Sequence, residues 1–339
     1  MSEARDARRA ARVRQRVVQA EERVRRRLDR VARTRLPIIV GPWTGEVGFE
    51  LLYWIPFLQW ARETARLGPE RLIVLSRGGV RDWYGHVTSN YDDIFTHVST
   101  ARFQQAGADR KKQEQIRPFD CAVVRSVMRA RGIRHAHLLH PALMYGLYKA
   151  YWRQDATLTR LEDFAIFRPL TATPAPVAPS DLPSDYVAVR FYFSSCFPDT
   201  PATRQFAASV IEALAARYHV VLLNNDISVD DHADFAPGAS ARIHTLSAEM
   251  QPETNLAVQT AIIRGARAFV GTYGGYSYLA PLCGVSAVAY YSRPAFKQHH
   301  LDLAQRVFQR LGRARLLPIA VEQAGLASET LARVEGLPS

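Results

Sequence analysis

Residues 269–281, FVGTYGGYSYLAP, carry the groups best suited to hold a phosphorylated ligand. A strand-like apolar run leads into a turn with two glycines and then into a helix start made of small residues. Glycine permits positive φ and a close approach of the backbone, and the N–H groups at a helix start attract anions. We therefore predict that Tyr273, Gly274, Gly275 and Ser277 contact phosphate. A turn that serves only packing is the alternative.

Arg190 ends another apolar run, so its guanidinium is expected at the edge of the sheet near the same turn. The planar fork of donors suits a diphosphate and would stabilise it as it departs. An ion pair with a local acid such as Asp199 is the alternative.

A polar loop after a further predicted strand is expected to contact the nucleobase or the ribose of a nucleotide ligand. A metal site there is disfavoured because its acids lack EF-hand spacing. The candidates in this loop are Asn225, Asp226, Asp231 and His232.

Two acids, Glu46 and Glu50, follow the first predicted strand in the segment GEVGFE. Either one would serve as a general base that takes a proton from an attacking hydroxyl. Glu46 is preferred because it lies in the loop. Glu50 falls in the first helical turn, where an acid also complements the helix dipole.

The loop after the second predicted strand is rich in aromatic and basic residues. Aromatic faces beside an arginine and a histidine suit a sugar-bearing acceptor, although an ordered surface loop explains them equally well. The predicted acceptor contacts are Arg77, Trp83, Tyr84 and His86.

Strand-like runs alternate with helical patterns along the chain, which predicts an α/β fold with parallel, doubly wound sheets. The predicted strands are 36–40 and 72–75 in the N-terminal part and the four runs 186–191, 220–223, 268–270 and 287–290 in the C-terminal part. Segments 49–65, 138–152 and 255–264 are predicted as helices and segment 101–116 as a loop. A proline-rich stretch between Leu170 and Asp185 indicates a linker. We therefore predict an N-terminal domain over residues 36–175 and a C-terminal domain over 176–297. The remaining residues, 298–339, form a helical tail that would cross back to the first domain.

The chain of 339 residues has a formal charge of +12, and most of it lies in one segment. Residues 1–35 hold 13 arginines and five acids, with apolar positions on one helical face. Three roles are open for this basic helix. It would pack on the rest of its own chain, pair with a second copy in a homodimer, or lie on an anionic membrane. Nucleic acid is disfavoured because the segment has no interleaved aromatics and the chain no recognisable binding motif.

No apolar stretch is long enough to span a membrane, and the sequence shows no secretory signal. We therefore expect a cytoplasmic protein, which would be peripheral at the inner face of the membrane if the helix binds lipid. The three cysteines, Cys121, Cys196 and Cys283, have no metal-ligand spacing.

With these residues in view, the chain resembles bacterial glycosyltransferases of the GT-B type, which have two Rossmann-like domains facing each other across a cleft. GEVGFELLYWIP resembles the first-strand loop of surface-polysaccharide glycosyltransferases and, more loosely, the acidic loop of heptosyltransferases. VGTYGGYSYLAPLCGVSAVAYYS is similar to the donor-site turn of heptosyltransferase-like and fucosyltransferase-like enzymes. Arg190 is placed like the diphosphate-binding arginine of the latter.

The resemblance implies transfer of a sugar from a nucleotide-diphosphate sugar to a glycan or lipid-linked acceptor in cell-surface polysaccharide synthesis. The glutamate-rich signature of retaining enzymes is missing, which favours inversion, and no metal or other cofactor is expected. Two alternatives stay open: another sugar-nucleotide enzyme of epimerase type, and a non-catalytic nucleotide-binding scaffold. A dinucleotide oxidoreductase is disfavoured because no G-x-G-x-x-G follows the first strand.

Overall fold

A computed structural model describes residues 2–107, 112–170, 181–224, 233–238, 240–245, 250–292, 297–323 and 333–334. Within these residues, each half of the chain builds a parallel sheet. We call residues 36–170 the first half and residues 181–334 the second half. The predicted α/β fold with parallel sheets is confirmed. Residues 171–180, the core of the predicted linker, lie outside the described part.

The first sheet has four parallel strands in the order β3-β2-β1-β4. Its two central strands are short apolar runs that are buried on both faces, as parallel strands covered by helices require. The strands are β1 (Ile38–Val40), β2 (Leu72–Ser76), β3 (Tyr91–Asp93) and β4 (His137–Leu139). The helices of this half are α2 (Val47–Phe49), α3 (Ile55–Thr64), α4 (Thr100–Gly107), α5 (Pro118–Ala130), α6 (Ala142–Trp152) and α7 (Leu158–Glu162).

The second sheet has six parallel strands in the order β12-β11-β10-β5-β7-β9. A separate antiparallel pair, β6 with β8, lies beyond the end of β5. The strands are β5 (Tyr186–Arg190), β6 (Tyr192–Phe193), β7 (His219–Leu222), β8 (Ala233–Asp234), β9 (Ile243–Thr245), β10 (Ala268–Thr272), β11 (Ala287–Tyr291) and β12 (Leu316–Ala320). The helices are α8 (Pro201–Ala215), α9 (Asn255–Gly265), α10 (Gly275–Leu282) and α11 (Gln298–Leu311).

The predicted helix after β1 is interrupted by a wider turn. A π-helical turn over Glu50–Trp54 joins α2 to α3. Such turns change the direction of side chains within a helix and occur often at functional sites. Here the turn begins at Glu50, one of the two candidate bases.

The N-terminal helix α1 (Ser2–Ala32) packs on the first half of its own chain. Val24, Leu28 and Val31 are buried in the main core. Arg27 donates a hydrogen bond to the carbonyl of Leu138 at 2.7 Å, and Arg160 forms an ion pair with Glu21 at 2.6 Å. The C-terminal part of α1 therefore packs on the rest of its own chain, as one of the three interpretations predicted.

The two halves share one core, and α11 contacts the first half directly. The hydroxyl of Tyr151 donates to the carbonyl of His299 at 2.7 Å, and the hydroxyl of Tyr53 lies 2.5 Å from Nδ1 of His300. Burial lowers the pKa of His300 to about 3, so its imidazole is neutral at physiological pH. Among the described residues, no helix is long and apolar enough to cross a bilayer.

Several expectations about local structure were wrong. Segment 101–116, expected as a loop, contains most of α4, and the strand β4 precedes α6 where a single helix was expected. The second sheet has six strands instead of four.

Candidate functional site

The turn after β10 has the backbone geometry that its glycines predict. Gly274 has φ +150°, and α10 begins at the next residue. The Ser277 hydroxyl donates to the Gly274 carbonyl at 2.8 Å and accepts from the Gly274 N–H at 3.0 Å. The first N–H groups of any helix have no carbonyl partner within the helix, which gives this end its anion affinity. The Ser277 hydroxyl thus stabilises the start of α10, and its contact with phosphate stays a prediction.

Tyr273 contributes packing to this turn. Its ring meets the rings of Tyr278 and Tyr291 edge to face, at centroid distances of 5.4 and 6.1 Å. Burial raises the pKa of the Tyr273 phenol, so it is neutral at physiological pH. The turn is thus stiffened by aromatic contacts with α10 and β11.

The loop after β1 meets the start of α10 across the two halves. A Cβ added to Gly275 would lie 2.8 Å from Cβ of Val47 and 3.0 Å from the backbone nitrogen of Gly48. A Cβ on Gly48 would in turn lie 3.4 Å from Cα of Gly275. The backbones can approach this closely only because both positions, Gly48 and Gly275, are glycine. The acidic loop of the first half and the glycine turn of the second half are therefore in direct contact.

The two candidate bases occupy different environments. Glu46 is exposed at the residue that precedes α2, where its carboxylate makes no cap hydrogen bond. Glu50 is fully buried and accepts from the hydroxyls of Ser76 and Tyr84, each at 2.5 Å, and from Arg77 at 3.4 Å. Burial raises the pKa of Glu50 to about 6 although Arg77 and the hydroxyls oppose this. Of the two residues, only Glu46 is exposed to solvent.

The predicted acceptor loop is a packing element between the halves. Arg77 is 3% exposed and donates to the carbonyl of Gly45 at 2.6 Å. The Trp83 indole N–H donates to the hydroxyl of Thr260 on α9 at 3.0 Å. Tyr84 is fully buried against Glu50. These three acceptor assignments are corrected, because their side chains have no surface for a glycan.

His86, the fourth predicted acceptor contact, is half-buried. Its Nε2 lies 3.0 Å from the carbonyl of Pro169, at the end of the first half. The imidazole therefore holds the chain just before the predicted linker.

Arg190 is held by partners on two other elements. Its Nε and Nη2 donate to the two carboxylate oxygens of Asp234 at 2.9 and 3.2 Å, and its Nη1 donates to Oε1 of Gln259 at 2.9 Å. Its guanidinium carbon lies 4.3 Å from the centroid of the Tyr276 ring. The expected alternative partner, Asp199, is wrong, since Asp199 pairs with Arg204 at 2.5 Å. The diphosphate role of Arg190 stays a prediction, and here its donors serve other groups.

The loop that was predicted to contact the nucleobase or the ribose lies outside the described residues. This covers Asn225 and Asp231 as well as their neighbours Asp226 and His232. Their assignment stays a prediction.

Gln113 holds the loop of Glu46 and was missed from the sequence. Its Oε1 accepts from the backbone N–H of Thr44 and its Nε2 donates to the carbonyl of Pro42, both at 2.9 Å. Gln113 is buried although it follows a polar segment, and its partners are about 70 positions away in the chain. No local pattern could have identified it.

An aromatic and basic patch lies at the start of α11. The half-buried rings of Phe49 and Trp152 are 5.4 Å apart, and His300 is 5.2 Å from Phe49. Lys112 Nζ lies 5.6 Å from the Trp152 ring, and both Lys112 and Lys297 lower the pKa of His300. This patch begins three residues after Glu46 and joins both halves. Within the described ranges, no group of three or more His, Cys, Asp or Glu side chains could hold a metal ion.

No family model matches the chain, and none of the curated protein sequences is significantly similar to it. Several solved structures are similar in shape. The E. coli heptosyltransferase WaaC with ADP-2-deoxy-2-fluoro heptose is 11% identical, with 88% of this chain and 99% of that chain covered and a TM-score of 0.47. The E. coli ADP-heptose heptosyltransferase II is 15% identical, with 82% and 98% covered and a TM-score of 0.42.

The iron-containing dodecameric glycosyltransferase TibC from enterotoxigenic E. coli is 14% identical, with a TM-score of 0.42. The match covers 75% of this chain and spans 58% of the length of TibC. The fold class of the present chain is established by its own two parallel sheets.

Proposed function

We propose that the protein is a glycosyltransferase that moves a sugar from a nucleotide-diphosphate sugar to a hydroxyl group of a glycan or lipid-linked acceptor. One observation carries the proposal: the exposed Glu46 precedes Val47, which contacts the glycine start of α10 in the other half. A base and an anion-binding helix start thus lie side by side at the meeting of two parallel α/β units. The similarity of both segments to glycosyltransferase loops supports the same assignment.

The proposed reaction is a single displacement with inversion. The Glu46 carboxylate takes the proton of the acceptor hydroxyl, the oxygen attacks the anomeric carbon, and the bond to the diphosphate breaks. A base at this position and a positive helix end facing the leaving diphosphate both lower the barrier. Gln113 would position Glu46, because it fixes the loop through Thr44 and Pro42.

We propose that no metal takes part and that the start of α10 offsets the charge of the diphosphate. Turnover in the presence of EDTA is then expected to equal turnover without it. A requirement for a divalent cation would contradict this part of the proposal.

The acceptor is proposed to lie at the inner face of a membrane, as expected for cell-surface polysaccharide synthesis. Support comes from the N-terminal part of α1, where Arg5, Arg8, Arg9, Arg12, Arg14 and Arg16 are all exposed. A homodimer formed through α1 would have to use the same N-terminal part of the helix. The apolar positions Val24, Leu28 and Val31 are buried in the chain's own core.

A thermal-shift screen against nucleoside diphosphates and nucleotide sugars tests the proposal. A ligand at 100 times its dissociation constant is expected to add about 2.7 kcal/mol to the free energy of unfolding. The absence of any shift would contradict the proposal, and a shift without turnover of any nucleotide sugar would argue for a nucleotide-binding scaffold. Conversion of a nucleotide sugar in the absence of an acceptor would instead indicate an epimerase-like enzyme.

A further inference from the structure

The loop that carries Glu46 is held by buried groups of the first half. Nη2 of Arg77 donates to the carbonyl of Gly45, the residue before Glu46, at 2.6 Å. The backbone N–H of Glu50 donates to the carbonyl of Glu46 itself at 3.1 Å. The two peptide groups that flank the Cα of Glu46 are therefore both fixed, one of them by a side chain that is 3% exposed.

Arg77 is in turn held by Glu50. Nη1 of Arg77 donates to Oε2 of Glu50 at 3.4 Å, and Oε1 of Glu50 accepts from the hydroxyls of Ser76 and Tyr84. A guanidinium presents its donors in a rigid planar fork, so the partner of Nη1 determines where Nη2 points. The carboxylate of Glu50 thus sets the direction of the bond from Arg77 to Gly45.

The charge of Glu50 is not explained by packing. Burial raises the pKa of Glu50 to about 6, although Arg77 and the two hydroxyls oppose this. A buried ion pair is often no more stabilising than neutral side chains of similar size. A glutamine at this position would keep one oxygen for both hydroxyls, but its amide nitrogen would face the donor Nη1. Only a carboxylate can bind the hydroxyls and Arg77 together.

We propose that Arg77 and Glu50 are positioning residues for the base Glu46: Glu50 fixes the guanidinium, and the guanidinium fixes the peptide group that precedes Glu46. This inference rests on the proposed function. Neither side chain contacts the substrate in this role. An ionised Glu50 holds Arg77 against the loop, whereas a protonated Glu50 has no charge for Arg77 and the hold on the loop weakens.

The hold on the loop therefore depends on pH. The ionisable groups that act on the Glu50 carboxylate are Arg77, Tyr84 and, on β3, Tyr91, and both phenols have a pKa raised by burial. The helices α2 and α10, which also pack against this turn, carry no charged residue, and the charged residues of α3 lie at its far end. Since Glu50 is ionised above about pH 6, turnover is expected to fall as the pH drops through this value.

The decisive variant is Glu50→Gln, which keeps the size of the side chain and its oxygen for the hydroxyls but turns a donor towards Arg77. Hydrogen exchange of the full chain, measured by mass spectrometry, reports on the loop through the bonded N–H groups of Trp43, Thr44 and Glu50. Exchange in segment 43–50 is expected to become about 10-fold faster, the effect of one weakened hydrogen bond, while other segments keep their rates.

Turnover is measured with radiolabelled UDP-glucose, UDP-galactose, GDP-mannose and ADP-glucose, with a bacterial glycolipid extract as the acceptor. In Glu50→Gln, kcat is expected to fall by about 10- to 100-fold at an unchanged KM for the donor, because a displaced base slows the chemical step alone. The fall of kcat near pH 6 is expected to be absent. In Tyr84→Phe the carboxylate loses one hydroxyl bond, which raises the pKa of Glu50, so the fall is expected at a higher pH.

The matched control is Asp120→Asn. Asp120 on α5 is a buried carboxylate of the same half that lies 3.1 Å from Nε2 of His140. Among the described residues, neither of the two is hydrogen-bonded to the loop of Glu46. The change is the same in kind, an amide in place of a buried carboxylate beside a nitrogen. It is expected to lower the melting temperature but to leave exchange in segment 43–50, kcat and its pH profile unchanged.

A double-variant cycle with Arg77→Met asks whether the two residues act on the base by one route. Arg77→Met removes both bonds of the guanidinium and keeps most of the length of the side chain. It is expected to lower kcat as much as Glu50→Gln does, and the double variant is expected to be no slower than either single variant. Additive losses would mean that the two residues act separately, which contradicts the proposal.

The outcomes separate this inference from the proposed function. If segment 43–50 exchanges in Glu50→Gln as it does in the unmodified protein, the positioning role is overturned. If exchange becomes faster but no sugar is transferred from any donor, the hold of Arg77 on the loop stands and the proposed function fails. If sugar is transferred and Glu50→Gln has the kcat and the pH profile of the unmodified protein, the proposed function stands and the positioning role is overturned.

Discussion

Glu46 and Glu50 lie four residues apart, and their surroundings give them different chemistry. Glu46 is exposed beside the contact between Val47 and Gly275, whereas Glu50 is enclosed by Ser76, Tyr84 and Arg77. An enclosed carboxylate cannot reach a substrate hydroxyl. The base of the proposed reaction is therefore the residue in the loop.

Replacing Glu46 by glutamine is expected to lower kcat by about 10²- to 10⁴-fold, the usual loss for a general base. Donor affinity is expected to stay the same, since the amide has the size and shape of the carboxylate. Steady-state turnover and calorimetric donor binding check both parts. Near-normal turnover in a variant that binds donor would rule out Glu46 as the base.

The buried acids make the free energy of unfolding depend on pH. Burial raises the pKa of Glu50 from 4.5 to about 6 and that of Asp93 from 3.8 to about 6. The folded state thus holds these protons more tightly than the unfolded state. The contribution of both groups is most favourable below pH 4 and falls as the pH rises to 6 and above.

For Glu50 alone this loss amounts to about 2 kcal/mol. In Glu50→Gln the fall of unfolding free energy between pH 4.5 and 6 is expected to be shallower, with the Asp93 part remaining. Urea unfolding at several pH values measures the slope. An unchanged slope would show that Glu50 does not titrate in this range.

The role of Arg190 shows what local sequence could not predict. Its position at the end of β5 was readable because an arginine closes an apolar run. Its partner Asp234 is 44 residues further along and reaches it through the pairing of β6 with β8. Gln259 lies in a helix that was predicted correctly, and a polar residue on its buried face was the only available signal.

At the scale of elements, the predicted strands are the central ones and the missed strands are the edges. The runs for β1, β2, β5, β7, β10 and β11 were recognised because strands buried on both faces are continuously apolar. The missed strands β3, β4, β9 and β12 are the edges of the two sheets. Edge strands are short and polar or contain proline, as β12 does at Pro318, so they carry little periodic signal.

The helix α1 combines two segments with different surroundings. Its C-terminal part is anchored by Val24, Leu28 and Val31, whereas residues 2–16 carry exposed arginines and only small apolar side chains. Removing the whole helix would uncover the core. A test of membrane binding should therefore remove residues 1–16 only.

The full chain is expected to bind vesicles that contain anionic lipid, and the chain without residues 1–16 is expected to bind them weakly. The reason is electrostatic, since each arginine near such a surface contributes about 1 kcal/mol. Pelleting with anionic and with neutral vesicles, at low and high salt, measures the effect. Equal binding by both chains would show that residues 1–16 do not attach the protein to membranes. Melting curves of the two proteins control for folding.

At the scale of the whole molecule, the contact between the two halves joins the proposed base to the proposed phosphate turn. Gly48 and Gly275 let the backbones touch, and Trp83 and Thr260 hold the same face together nearby. Catalysis by two groups on separate units requires their distance to be fixed within about 1 Å. The fit between the halves should therefore control turnover more than it controls the stability of either half.

Gly275→Ala tests this dependence, because the added methyl group would lie 2.8 Å from Cβ of Val47 and would force the halves apart. Turnover is expected to fall by about 100-fold, and the radius of gyration from X-ray scattering is expected to rise. Gly146→Ala is the matched control: Gly146 lies within α6, nothing lies within 4 Å of its added methyl group, and alanine favours a helix. If Gly275→Ala retains the turnover and dimensions of Gly146→Ala, the contact between the halves does not set the catalytic geometry.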